Sequence, residues 1–106
     1  MNLHRMAEER SLALHRAVAA RLRSDPSLLD VARRRVREWA GRGDVPRFYV
    51  EDWERVLGGS LEEVCALLVD PSERARALRQ VTPFAGVVGP RERWRIWREV
   101  RERGEA

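Results

Sequence analysis

An all-α fold follows from three features of the sequence. Apolar residues recur at steps of three and four through most of the chain, helix-starting and helix-ending signals bracket each such run, and no stretch alternates as a half-buried strand does. With 106 residues, 43% of them hydrophobic and 36% charged, the chain fits a single helical domain over 1–106. The expected architecture is a compact array of five to six helices with a long N-terminal helix.

The first helix is read from Asn2 to Arg23, where Leu3, Met6, Ala7, Leu14, Ala17, Val18 and Leu22 fall on one side among Arg and Glu. Ser24-Asp25-Pro26 ends it and starts the second, with Asp25 as cap and Pro26 at the first helical position. Leu29, Ala32, Val36 and Trp39 form the buried stripe of that helix, and Gly41-Arg42-Gly43 supplies a left-handed residue to close it. Phe48 to Leu57 makes a short third helix facing inward through Tyr49, Trp53, Val56 and Leu57, broken by Gly58-Gly59.

Ser60-Leu61-Glu62-Glu63 is a capping box that opens a fourth helix running to about Val69. Asp70-Pro71-Ser72-Glu73 repeats the capping logic for a fifth, ending at Arg79 or Gln80. The apolar side of that helix is little more than Ala75, Ala77 and Leu78, so it is expected to be exposed or to face a partner. Val81 to Gly89 holds two glycines, a proline and no charge, which suits neither a helix nor a solvated loop; something must cover it. Pro90 starts a last helix in which Trp94, Trp97 and Val100 share a face with Ile96 beside them, among Arg91, Arg93, Arg95, Arg98 and Arg101.

Composition excludes several classes of protein. No apolar stretch approaches the ~20 residues of a membrane span. The opening Met1 to Glu9 carries acids where a secretory or transit peptide would be acid-free, so the expected location is the cytosol. All 21 basic residues are arginine, for a net charge of +4. Lysine is missing even from solvent-facing helical positions, which reads first as a compositional bias of the source rather than selection for phosphate contacts.

The residues that carry chemistry are sparse. His4 and His15 share a helix face but stand about 16 Å apart along the axis, too far to hold one metal ion. Both are expected to be partly exposed. Cys65, the one cysteine, lies among apolar neighbours and reads as a core residue rather than a nucleophile. The acid pairs Glu8-Glu9 and Glu62-Glu63 diverge by about 100° on a helix and are better explained by solvation and capping than by acid–base work. With no P-loop, no Gly-x-Ser-x-Gly and no dinucleotide fingerprint, the reading is a non-enzymatic protein without cofactor or metal.

Two helix-to-helix joints resemble a DNA-binding helix-turn-helix. The helix after Gly58-Gly59 begins with Glu62 and Glu63, which would repel phosphates. The helix after Asp70-Pro71 carries Arg74, Arg76, Arg79 and Gln80, and keeps a small DNA- or RNA-binding regulator as the alternative reading. The C-terminal third gives the stronger functional signal. Pro83, Phe84, Gly86, Trp94 and Trp97 stand under a fringe of arginines, and Trp and Arg are the usual anchors of protein interfaces. Either these aromatics finish the domain's own core, or they also form an interface. A homodimer that covers the apolar loop is a further alternative.

The segment from Trp53 through Gly58-Gly59-Ser60 to Val64, followed by Arg74 to Gln80 and by Thr82-Pro83-Phe84-Ala85-Gly86 through Trp94, resembles a helical module of small bacterial antitoxins. Arg10 to Ala19 is similar to the start of the same module, so the likeness spans nearly the whole chain. Its most specific part is Leu78-Arg79-Gln80 with Pro83-Phe84-Ala85-Gly86. The resemblance implies neutralisation of a toxin, often nucleotidyltransferase-like, by protein–protein binding. In such relatives the module often follows a helix-turn-helix domain, which has no separate counterpart in this sequence. The expected partner-binding residues are Arg79, Gln80, Pro83, Phe84, Gly86, Arg91, Arg93, Trp94, Trp97 and Arg98. Phe84, Trp94 and Trp97 would anchor the partner, and Arg79, Arg91, Arg93 and Arg98 would pair with its acids or fill a phosphate-binding pocket on it.

Overall fold

The computed structural model describes residues 2–105; Met1 and Ala106, the ends of the expected domain, lie outside the described residues. Among the described residues the fold is all-helical: α1 (Leu3–Ser24), α2 (Leu28–Arg42), α3 (Arg47–Leu57), α4 (Leu61–Leu68), α5 (Glu73–Gln80) and α6 (Pro90–Glu105). The long α1 is the spine. It packs along α6, α4 and α5, while α2 and α3 pair mainly with each other at one side, within an envelope of 43 × 29 × 23 Å. One apolar core joins Val18, Leu22, Val36, Trp53, Val64, Leu68, Leu78, Phe84 and Val88.

The caps explain where the helices begin. Asn2 Oδ1 accepts from the Arg5 amide at 2.7 Å, which starts α1. Ser60 and Glu63 form the reciprocal capping box of α4, at 3.1 and 3.3 Å. Ser72 caps α5 by accepting from the Ala75 amide at 3.2 Å. Gly43 closes α2 in the left-handed region, at φ 72°. The start of α2 differs from expectation. Asp25 Oδ1 accepts from the Ser27 amide and hydroxyl, holding Asp25-Pro26-Ser27 as a separate turn, and the helix begins only at Leu28.

Several faces also turn differently. In α3 the buried residues are Val50, Trp53 and Leu57, with Tyr49 and Val56 at the margins. Helix α5 is not a free face, because Ala75, Leu78 and Arg79 are all buried. In α6 the inward residues are Ile96 and Val100, flanked by Trp97, while Trp94 turns outward.

The apolar segment 81–89 is covered by its own chain. Pro83, Phe84 and Val88 enter the core, and the Phe84 ring meets Trp53 edge-on with centroids 6.0 Å apart. Its backbone carbonyls find donors on three helices, and its Thr82 side chain finds a partner on a fourth. Trp53 Nε1 donates to Val81 O at 2.6 Å, and Arg35 Nη1 donates to Pro83 O at 3.1 Å and to Ala85 O. Arg93 Nη2 reaches Val88 O at 3.5 Å, and Thr82 Oγ1 bonds the His15 ring. This satisfies a buried loop that would otherwise be costly.

Candidate functional site

The structure divides the expected partner-binding residues into two groups. Arg79, Pro83 and Phe84 belong to the interior, so the expectation that they meet a partner is corrected. Phe84 is 2% exposed and fills the core beside Trp53, with Pro83 buried next to it. Arg79 is 5% exposed, and its Nη1 donates to Leu68 O at 3.3 Å and Asp70 O at 2.7 Å. Those carbonyls stand at and just after the end of α4, where a helix leaves acceptors unpaired. Arg93 is half-buried, with its guanidinium toward Val88 O and over the Trp97 ring.

Gln80, Gly86, Arg91, Trp94 and Arg98 are exposed, and Trp97 is half-buried. Gln80 lies apart from the others, with His4, Glu8 and Arg76 around a cavity of about 70 Å³ between α1 and α5. Gly86 serves the loop, where its φ of 91° admits glycine most readily. Arg91 lies by Arg21, Glu92 and Arg95, and Trp94, Trp97 and Arg98 remain together on α6. Two residues outside the expected set join them: Arg10 from α1, whose guanidinium carbon stands 5.6 Å from the Trp97 ring centre, and Arg101. Arg101 was legible, four positions after Trp97 on the same flank. Arg10 was not, because nothing in the sequence says that α1 pairs with α6.

Trp94, at 63% exposed, borders a shallow crease of about 30 Å³ with Arg10, Trp97, Arg98 and Arg101. Phe48 is equally exposed, but it leans on the Tyr49 ring at 4.2 Å, and its neighbour Arg47 is paired with Glu51 at 3.0 Å. Trp94 lacks such company.

The candidate helix for a DNA groove is also altered. Arg74 is held by both Asp52 oxygens, at 2.6 and 3.2 Å, and Arg79 is buried, which leaves Arg76 and Gln80 as freely exposed side chains there. The Arg74 hydrogen bond holds the Asp52 carboxyl below its ordinary range, against a smaller opposing effect of burial.

The histidines do not form a metal centre, and among the described residues no three His, Cys, Asp or Glu side chains gather as one. His4 pairs with Glu8 on the surface at 3.2 Å. His15, expected to be partly exposed, is instead 1% exposed, because α1 turns it under segment 81–89. Cys65 lies fully within the core, its Sγ 3.7 Å from Ala19 O, and burial pushes the thiol up, away from the reactive thiolate. No helix among the described residues is long and apolar enough to cross a membrane. The chain matches no family model, no curated protein and no solved structure.

Proposed function

We propose that the protein is a non-enzymatic binding protein whose last helix docks on another protein, and that it acts as an antitoxin that neutralises a toxin by holding it. The observation that carries the docking reading is Trp94, 63% exposed on α6 between arginines. Interfaces concentrate their binding energy in Trp and Arg, because these side chains bury a large area while keeping a polar edge. The likeness of Leu78-Arg79-Gln80 and Pro83-Phe84-Ala85-Gly86 to the antitoxin module supports the partner class, a toxin of the nucleotidyltransferase-like kind. In this reading those residues hold the module's shape, and the α6 face makes the contact.

The test is capture by the tagged protein from nuclease-treated native cytosol, with Trp94→Ala in parallel, followed by expression of the captured enzyme in growing cells. The expected result is one stoichiometric enzyme retained by the wild type and lost by the variant, whose toxicity the wild-type protein relieves. A partner held equally by both proteins overturns the assignment of the surface. If no protein is captured, and nucleic acid binds with a steep loss of affinity in salt, the protein is a nucleic-acid regulator instead.

A further inference from the structure

At 100° per residue, Trp97, Arg101, Trp94 and Arg98 of α6 fall within an arc of about 100°; Glu92 and Glu99 lie opposite it together with Arg103, and Glu102 borders it beside Arg98. Glu92 is occupied there, bonded to Arg21 of α1 and 3.7 Å from Arg95. Arg10 extends the basic flank from the neighbouring helix. Among the described residues neither Arg10 nor Arg98 forms an ion pair. Arg10 also buries an Nε that has no hydrogen-bond partner.

We infer that the Trp94 crease receives an acidic segment of the partner protein, one in which an apolar side chain covers Trp94 while adjacent carboxylates bond Arg10, Arg98 and Arg101. The inference rests on the docking reading above and adds the chemistry of the occupant. Two features favour a polypeptide over a nucleic-acid strand. The basic groups surround a single exposed indole instead of lining a track of several stacking rings, and the crease is short where a backbone-tracking groove would be long. An apolar residue between carboxylates matches both requirements of the crease. Guanidinium–carboxylate bonds supply direction, and the covered indole removes water from around them.

The experiment uses the full chain and three labelled probes followed by fluorescence anisotropy. They are a peptide of alternating glutamate and leucine or phenylalanine, its glutamine analogue, and an oligothymidylate of equal charge. The acidic peptide should bind best, and its affinity should fall with added salt. Arg98→Ala with Arg101→Ala should weaken it about tenfold, and Trp94→Ala about thirtyfold. Removing the exposed Arg16 and Arg34 of other surfaces should leave it unchanged, which separates a site from general charge attraction. All of these positions are exposed, so circular dichroism should show each variant folded.

Equal binding of the glutamine analogue overturns the acidic occupant but leaves the docking reading standing, provided that Trp94→Ala still weakens it. Tighter binding of the oligonucleotide overturns both. Absence of peptide binding at millimolar concentration, or indifference to the arginine pair, also overturns the inference.

Discussion

His15 on α1 and Thr82 in the segment before α6 share a hydrogen bond of 2.9 Å across most of the chain's length. The other ring nitrogen fixes its sense. Nδ1 lies 2.7 Å from Ser11 O, and a carbonyl only accepts, so Nδ1 carries the proton and Nε2 accepts from the Thr82 hydroxyl. Thr82 Oγ1 in turn accepts from the Phe84 amide at 3.1 Å. The neutral ring thus ties the long helix to the residue pair that opens the buried loop.

A pH dependence of stability follows. Burial lowers the His15 pKa from 6.5, and the nearby Arg79 charge acts in the same direction against the Ser11 bond. The unfolded chain therefore binds a proton at a pH where the folded chain does not, and stability falls as pH drops below about 6.5 until the lower folded value is passed. Urea unfolding at steps from pH 8 to pH 5 should show that decline, and His15→Leu should flatten it. A wild-type stability constant through that window would contradict the assignment of the neutral ring.

Arg79 should matter for folding rather than for contact. Replacing it by methionine leaves the Leu68 and Asp70 carbonyls without their guanidinium donor, at a cost of about 2–3 kcal/mol. The denaturant midpoint should drop accordingly. Capture of the partner should persist under conditions where the variant is folded. Loss of capture by a fully folded Arg79→Met protein would return this residue to the binding surface.

Gly86 and Gly89 offer a matched pair, since a Cβ at either meets nothing within 4 Å. Only Gly86 has a left-handed φ, of 91°. Gly86→Ala should therefore cost about 1–2 kcal/mol through backbone strain. Gly89→Ala should be neutral or slightly stabilising, because it restricts the unfolded chain without straining the folded one. Thermal melts of the two variants read the difference directly.

The helices were legible because their signals are local. The Ser60 to Glu63 box, the closing Gly43 and the proline that starts α6 each act within a turn, and each stands where the sequence places it. Orientation was harder to read. In α6, Trp94 and Trp97 differ by only about 60° around the helix, so periodicity groups them, and contact with α1 decides which of them is half-buried. The arginines were the least legible. Arg33 donates to Leu57 O at 3.1 and 2.9 Å, Arg35 to the 81–89 loop and Arg79 to the end of α4, yet in the sequence they look like any solvated arginine. A backbone carbonyl that needs a donor leaves no mark in composition or spacing.

Phe84 and Trp94 separate the two roles that the sequence assigned jointly to the C-terminal aromatics. Phe84→Ala should destabilise the fold by about 3–5 kcal/mol, because it empties a fully buried core site against Trp53. Trp94→Ala should change stability by less than about 0.5 kcal/mol, its ring being largely in water already. Binding should show the reverse order once foldedness is controlled, with Trp94→Ala losing on the order of 2 kcal/mol. Urea unfolding and titration with the captured partner measure both quantities on the same samples. A Trp94→Ala protein that melts early would mean that this indole completes the α1–α6 contact, and the docking face would then have to be sought elsewhere on the molecule.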